Sequence, residues 1–293
     1  MSRTGTSVSP AVPAAGRAPE ADPAGRRGGR LVREARTVRL MWRRETIRFA
    51  RNRLRVAMGL LTPLMFLLIL GTGLQSAADG FDQYRAFLFP GVLLMALQAP
   101  AIAVGASIVW DRQSGFLRQV LAAPLSRGSI LVGICLGGAT SGTLYAACVL
   151  VTAPVVGVPY GPGLLLVLLE LALIAFAFTA FGVVAAVTIS RPETFQIVIG
   201  LAMMPLLFLS GAMFPAGGLP GWLGAAVLLN PLTYGVDAVR RAMPGDGVVT
   251  YGDRVTGPEP FGWAPPVLLE VGLIALLGLA AVTVAARHFA RSR

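Results

Sequence analysis

The chain has 293 residues, of which 55% are hydrophobic and 13% are charged. Soluble domains carry about 25% charged residues, so this composition is typical of a polytopic membrane protein. The net charge of +11 arises from arginine alone, and 14 of the 25 arginines precede residue 56. Arginines clustered before the first apolar segment follow the positive-inside rule and attract anionic lipid. The charge therefore indicates a membrane surface and not a nucleic-acid partner.

Residue types that many enzymes need are missing or isolated. The chain has no lysine, which excludes a P-loop ATPase and a lysine Schiff base within it. Its single histidine, His288, cannot supply a multi-histidine metal site. Cys135 and Cys148 share one apolar segment, where a helix would separate them by about 20 Å, too far for a disulfide. We expect neither a catalytic site nor a cofactor or metal site in this chain.

The N-terminal region divides into two parts. Residues 1–30 consist mainly of Ala, Pro, Gly, Ser and Arg without apolar periodicity, which is typical of a disordered tail. Residues 31–55 place arginines between apolar residues near helical spacing and include Trp42. Such a cationic amphipathic helix lies along the membrane surface, and the alternative is a basic juxtamembrane stretch of no defined depth. We predict an interfacial connecting helix over 31–55.

Residues 56–293 are predicted to form an all-α transmembrane domain. Small residues over 133–142 predict close helix contacts within it. Six apolar segments are each long enough to cross a hydrocarbon core of about 30 Å: Val56–Leu74, Ala86–Val109, Ser129–Val156, Pro162–Ile189, Phe195–Phe214 and Pro265–Ala286.

The arginines also predict the orientation of these spans. With the N-terminus in the cytoplasm, the predicted cytoplasmic segments hold 21 arginines and the outer segments hold four. This asymmetry predicts six spans with both termini in the cytoplasm.

A charged stretch, "DRQSGFLRQVLAAPLSR" over about 111–127, interrupts the apolar sequence between the second and third spans. In a helix, Phe116, Leu117, Val120 and Leu121 fall on one face, and Pro124 ends the helix. That apolar face suits docking into a groove on a cytoplasmic partner. A surface helix resting on lipid headgroups explains the pattern equally well.

The segment between the fifth and sixth spans, 215–264, is longer than a plain connection requires. Its first part, about 215–243, is predicted to form two short helices separated at Asn230-Pro231. The first helix is apolar enough to enter the outer leaflet, where irregular backbone needs protein or water as a partner. We therefore predict external re-entrant helices that cap the outer end of the domain.

Two acidic residues, Glu170 and Glu270, lie in the outer halves of the fourth and sixth predicted spans. Because intramembrane charges are functional candidates, one hypothesis is that they line an outward cavity and attract a cationic substrate. The alternative is that they pair with each other, with Arg240 or Arg241, or with polar groups of the cap helices, and thereby hold the cap. Phe208 belongs to a set of aromatics that either lines a lipophilic path or simply packs.

Two ordered motifs resemble the ABC-2 family of transporter permeases. The first is "DRQSGFLRQVLAAPLSRGSI" over 111–130, with its acidic residue, Arg, Gly, Leu-Arg helix and closing Pro-Leu-Ser-Arg. The second, over 209–240, carries Ser-Gly-x-x-Phe-Pro, then Leu-Pro, then Asn-Pro-Leu-x-Tyr. The resemblance covers about residues 31–293 and is to drug-export permeases of the daunorubicin-resistance type. Gln113 departs from the second acidic residue that many members carry.

The resemblance implies the membrane subunit of an ATP-driven exporter. Two permease copies, as a homodimer or a related heterodimer, would form the pore, and two separate ABC subunits would bind ATP-Mg. The implied coupling helix, about 111–127, would contact the ATPase through Asp111, Arg112, Gly115, Phe116, Leu117, Arg118, Leu121, Pro124 and Arg127. Candidates for the substrate path or the cap are Glu170, Glu270, Phe208, Phe214, Asn230 and Tyr234.

The substrate is expected to be a hydrophobic or amphiphilic drug, and a lipid or glycan exporter of the same family is the alternative. The rival class is an ATP-independent secondary transporter or channel. That class would need deeper intramembrane charges or inverted repeats. The expected location is the bacterial plasma membrane, with membrane lipid as a further partner.

Overall fold

A computed structural model of the chain describes residues 23–77, 84–114, 126–214, 219–244, 250–251, 254–255, 257–258 and 263–291. Within these ranges the chain is almost entirely helical. The elements are α1 (Pro23–Arg51), α2 (Arg53–Ala77), α3 (Tyr84–Gln113), α4 (Arg127–Leu150), a 3₁₀ helix (Ala153–Val156), α5 (Gly163–Thr188), α6 (Pro192–Phe208), α7 (Gly221–Leu229), α8 (Pro231–Ala242), an antiparallel pair of β1 (Thr250–Tyr251) and β2 (Arg254–Val255), and α9 (Val267–Arg291).

Five of the described helices, α2, α3, α4, α5 and α9, are long and apolar enough to cross a membrane. This confirms the helical membrane class. The fifth predicted span corresponds to α6, an apolar helix of 17 residues that ends at Phe208 and not at Phe214. The six-span topology therefore stays a prediction.

Groups from the cap explain the early end of α6. The side-chain amide of Asn230 donates to the carbonyl of Leu206 at 2.6 Å, and the hydroxyl of Thr233 donates to the carbonyl of Val227 at 2.7 Å and lies 3.3 Å from that of Leu209. The last carbonyls of a helix lack partners within it, and here they receive donors from outside. The chain then leaves the helical path at Gly211, whose φ of +71° favours glycine.

The third predicted span is not one continuous helix. Its α-helix, α4, ends at Leu150, and a short 3₁₀ helix over Ala153–Val156 follows. Pro154 lacks the N–H that an α-helix would need at that position. Gly157, with φ +85°, then closes the turn.

The N-terminal helix differs from its predicted bounds. It begins at Pro23, inside the predicted tail, and proline at the first helical position is compatible with a helix start. It ends at Arg51 because Asn52 interrupts it and caps α2, accepting a hydrogen bond from the Arg55 amide at 3.0 Å. Residues 1–22 of the predicted tail lie outside the described residues.

The predicted coupling helix does not start as a separate element at Asp111. Asp111 and Arg112 belong to the last turn of α3, and the Ser114 amide donates to the carbonyl of Trp110 at 3.0 Å. An α-helical bond of this kind continues α3 where a break was predicted. Ser126 caps the start of α4. The remaining predicted contacts, Gly115, Phe116, Leu117, Arg118, Leu121 and Pro124, lie outside the described residues.

Helices α3, α4 and α5 contact one another at the centre of the molecule. Glycine allows α3 and α5 to approach closely, because a Cβ on Gly105 of α3 would lie 2.6 Å from the carbonyl oxygen of Gly182 on α5. Peripheral helices α2 and α6 expose large apolar side chains such as Leu61 and Leu201. Exposed apolar faces of this kind suit contact with lipid.

The Gly105 crossing yields a stability prediction. We expect Gly105→Val to lower the midpoint of thermal unfolding in detergent and the yield of monodisperse protein. The reason is that the added side chain meets backbone, which can yield only if two helices separate, at a cost of about 1–3 kcal/mol or more. Gly272→Val is the matched control, since nothing lies within 4 Å of a Cβ at that position. Equal midpoints for the two variants would contradict the described crossing.

Candidate functional site

One group of predicted site residues lies where α3 ends. The Arg44 guanidinium of α1 forms an ion pair with Asp111 at 2.6 Å. The Arg112 guanidinium donates to the carbonyl of Val187, near the end of α5, at 3.3 Å. These contacts join α1, α3 and α5 beside the point where the chain continues into residues 115–125. Arg127 lies in the first turn of α4.

The Arg44–Asp111 pair positions α1 more than it stabilises the protein. Its side chains are 31% and 18% exposed, and partly exposed pairs contribute about 0.2–1 kcal/mol. We expect a double-mutant cycle with Arg44→Gln and Asp111→Asn to give a coupling energy of about 1 kcal/mol or less, measured by thermal unfolding. A coupling energy several times larger would mean that the pair contributes substantially to the free energy of unfolding.

Helix α1 lies along α4, and matching chain order makes the two helices parallel. A Cβ on Gly133 would lie 2.7 Å from Met41, and the Trp42 indole N–H donates to Thr140 at 2.9 Å. Further along, the rings of Phe49 and Tyr145 lie 5.3 Å apart. The small residues over 133–142 therefore receive α1, as well as α3 and α5.

An acidic side chain is enclosed in this contact. Glu45 is only 5% exposed, and its Cβ would lie 2.5 Å from a Cβ placed on Gly137. Burial raises the pKa of the Glu45 carboxyl, while the nearby Arg44 and Arg48 act in the opposite direction. Glu45 was not among the predicted site residues, because a single acidic residue among many arginines gives no signal in the sequence.

A second group of predicted residues forms the external cap of α7 and α8. Asn230 caps α8, accepting from the Leu232 amide at 3.0 Å, while its amide group also reaches α6. The Tyr234 hydroxyl donates to the carbonyl of Leu228 in α7 at 2.9 Å. Phe214 packs against the core, whereas Phe208 is 44% exposed on the outside of α6. Asn230 and Tyr234 thus hold the two cap helices in place.

Arg240 is the most deeply buried cation of the cap, with 1% exposure. Its guanidinium donates to the carbonyls of Gly211 at 3.1 Å and Phe87 at 3.4 Å, and lies 4.5 Å from the centre of the Phe87 ring. Burial lowers the pKa of Arg240 to about 10, with Asp237 opposing the shift. The side chain therefore stays charged at neutral pH and joins α8 to α3 and to the turn after α6.

Asp237 lies beside Arg240, and two further acidic residues, Glu270 and Glu170, follow in turn. Asp237 pairs with Arg241 at 2.5 Å, and Arg241 also donates to the carbonyl of Pro265. Glu270 of α9 lies against Asp237, and Glu170 of α5 is close enough to act on Glu270 electrostatically. Glu170, Asp237 and Glu270 are 4%, 2% and 0% exposed. We call these residues, with Arg240 and Arg241, the cap cluster.

The cap cluster is enclosed. No N–H or O–H of a described residue donates to either carboxyl oxygen of Glu270, or to one oxygen of Glu170. The described part of the chain also has no group of three His, Cys, Asp or Glu side chains that could hold a metal ion. Glu170 and Glu270 are thus enclosed beside the cap helices, and both the substrate hypothesis and the cap-holding alternative stay predictions.

A large cavity lies elsewhere in the described structure. A cavity of about 770 Å³ opens between the α1–α2 junction and helices α3, α4 and α6. None of the predicted substrate-path residues lines it. Polar residues within apolar helices, Gln98, Ser107 and Gln196, were the signal that could have located it. Its other lining residues include Glu45, Arg48, Phe49, Asn52, Arg55, Trp110, Tyr145, Phe195 and Met203.

Known proteins are similar to this chain over much of its sequence. Residues 36–243, from α1 through the cap, match the family described as ABC-2 type transporter. The chain belongs to the ABC-2 type transporter family. This ABC-2 permease is 31% identical over 214 residues to Nodulation protein J of Rhizobium leguminosarum bv. trifolii, covering 71% of this chain and 82% of that protein.

A second relative is named as part of an ABC transporter. The permease is 28% identical over 226 residues to the Daunorubicin resistance ABC transporter permease protein DrrB1 of Streptomyces coeruleorubidus, covering 76% of this chain and 80% of that protein. Membership of the family, with five apolar helices of spanning length, makes the chain a multi-pass membrane permease. In such transporters the ATPase activity lies in a partner subunit.

Proposed function

We propose that this permease is the membrane subunit of an ATP-driven exporter in the bacterial plasma membrane. The observation that carries the proposal is the family match over residues 36–243, which includes the segment between α3 and α4 and the external cap. ATP-Mg would bind to a separate ABC subunit, and the absence of lysine from this chain supports that, because a P-loop requires lysine. Two copies of each subunit would complete the transporter.

The proposed topology has six spans, with α6 as the fifth. Its 17 residues reach about 26 Å at 1.5 Å per residue, which suffices for a short span. The excess of arginine in the segments between α3 and α4, between α5 and α6, and at both termini supports a cytoplasmic side for these parts. In this topology α1 lies at the cytoplasmic interface and the cap lies outside.

Residues 111–127 would transmit movement from the ATPase. The apolar face of Phe116, Leu117 and Leu121 would dock on the ATP-binding subunit. The contacts of Arg44 with Asp111 and of Arg112 with the Val187 carbonyl support this role. Through them, a displacement of the segment would reach α1, α3 and α5 together.

The cap cluster would hold the external gate in shape while the spans rearrange. Arg240, Asp237 and Glu270 contribute from α8 and α9, and Arg240 bonds to α3 as well. The substrate proposed first is a hydrophobic or amphiphilic compound such as a drug. The resistance named for the Streptomyces relative supports it.

Co-purification tests the assembly. The tagged permease, expressed in its own host and extracted in mild detergent, is expected to bring down a protein with a P-loop lysine motif, identified by mass spectrometry. A permease with residues 115–125 replaced by a Gly-Ser linker of equal length is the matched control and should lose that protein. Recovery of the intact permease without any ABC ATPase, in repeated preparations, would contradict the proposal.

A further inference from the structure

The 770 Å³ cavity has the size of a ligand site. Pockets for drug-sized molecules measure about 300–1,000 Å³. Helices α3, α4 and α6 supply a wall that is largely apolar, with Phe195, Met203 and Tyr145 among its members. A wall of this kind accepts a hydrocarbon chain or a ring system.

One side of the cavity carries positive charge. Arg48 and Arg55, from the two helices that meet at Asn52, both line it and both are exposed. Neither guanidinium forms an ion pair with an acidic side chain within 4 Å among the described residues. Both guanidinium groups are therefore open to water and to an acidic group that enters the cavity.

The charged side chains that line the cavity are more positive than negative, which disfavours a cationic ligand. Glu45 is the single acidic residue in the described lining, and it is 5% exposed against α4. Two guanidinium groups therefore outnumber one enclosed carboxyl. The other acidic candidates, Glu170 and Glu270, belong to the cap cluster and do not line this cavity.

We infer that this cavity binds an amphiphile with an acidic headgroup, and that such a compound is the class of substrate the permease exports. Arg48 and Arg55 would hold the carboxylate, sulfate or phosphate, because guanidinium groups bind planar and tetrahedral oxyanions through paired N–H donors. The wall formed by α3 and α6 would hold the apolar part. The claim that the permease exports this compound rests on the function proposed above, whereas the claim that the cavity binds it does not.

Binding can be measured without the ATPase. The purified permease in phosphatidylcholine nanodiscs is titrated with dibromostearate, which is acidic, or with dibromostearylamine, its basic counterpart. The readout is bromine quenching of Trp110, which lines the cavity, in a variant with Trp42, Trp222 and Trp263 replaced by Phe. We expect the acidic probe to quench at about a tenfold lower concentration for each arginine it engages.

Matched variants test which side chains recognise the acidic headgroup of the probe. Arg48→Gln with Arg55→Gln should remove the preference for the acidic probe. Arg48→Lys with Arg55→Lys should keep part of it, and Arg191→Gln, at an exposed position outside the cavity, should keep all of it. Equal quenching by both probes, or a preference that survives the double Gln variant in folded protein, would overturn the inference.

A transport assay distinguishes a bound substrate from a bound lipid that is not transported. In inverted vesicles containing the permease and its ATPase, ATP should drive accumulation of the acidic probe, and the double Gln variant should lose it. If the acidic probe binds yet only other compounds are moved, the cavity holds a lipid headgroup and its assignment to substrate fails. If the probe binds but no ATPase assembles with the permease, the proposed function fails while the acidic binding site stands.

Discussion

Arg240→Met is expected to lower the free energy of unfolding by about 3–5 kcal/mol, the usual effect of removing one partner from a buried charged network. The substitution leaves the carbonyls of Gly211 and Phe87 without their guanidinium donor. It also leaves Asp237 buried with one arginine instead of two. Thermal unfolding in mild detergent, followed by size-exclusion chromatography, measures the loss.

Arg191→Met is the control for Arg240→Met. Arg191 is an exposed arginine at the start of α6, and surface substitutions usually change stability by less than about 0.5 kcal/mol. The Arg240 variant should therefore unfold well below the control, and its cap should become accessible to protease first. If the two variants have the same unfolding midpoint, the cap cluster does not hold α8 against α3.

The second large effect is expected in the segment between α3 and α4. Phe116→Asp combined with Leu121→Asp should reduce ATP-driven transport to background while the protein still inserts and folds. The reason is that the proposed docking face would bury two unpaired carboxylates, each at a cost of several kcal/mol. Transport is measured in vesicles that contain both subunits at matched protein levels.

Ala122→Asp is the matched control, since Ala122 lies on the opposite side of the predicted helix from Phe116 and Leu121. It adds the same charge to the same segment and should retain most of the transport activity. Equal activity of the double variant and this control would show that the apolar face does not contact the ATPase. Equal loss in both would point to the charge of the segment and not to its face.

The features that could be predicted from the sequence are those that local composition decides. Five apolar stretches became helices of spanning length, because some 20 apolar residues leave little alternative in a membrane. The Asn230-Pro231 break between the cap helices was also local, since Asn caps a helix and Pro suits its first position. Both signals are complete within a few residues.

The features that escaped prediction depend on distant partners. Helix α6 ends early where Asn230, 24 residues along the chain, donates to the carbonyl of Leu206 in its last turn. Helix α1 packs along α4 through glycines about 90 residues away, which its own amphipathic pattern does not reveal. Residues from five helices line the 770 Å³ cavity, so no single stretch of sequence indicates that it exists.

Glu45 and Arg240 show the same limit for charges. By sequence alone, both belong to arginine-rich stretches that suit the interface. In the structure, Glu45 and Arg240 are 5% and 1% exposed, since each meets a neighbouring helix that closes over it. The orientation obtained by counting charges stays a prediction, and only the packing distinguishes a surface arginine from one that is buried in the cap.

ATP-dependent transport tests the central claim most directly. Inverted vesicles with the permease and its co-purified ABC subunit are compared with vesicles in which the P-loop lysine of that subunit is replaced by alanine. The account predicts accumulation of an amphiphilic substrate only with ATP and the intact lysine. Transport that continues without ATP, or with the lysine replaced, would contradict it and identify a secondary transporter or channel instead.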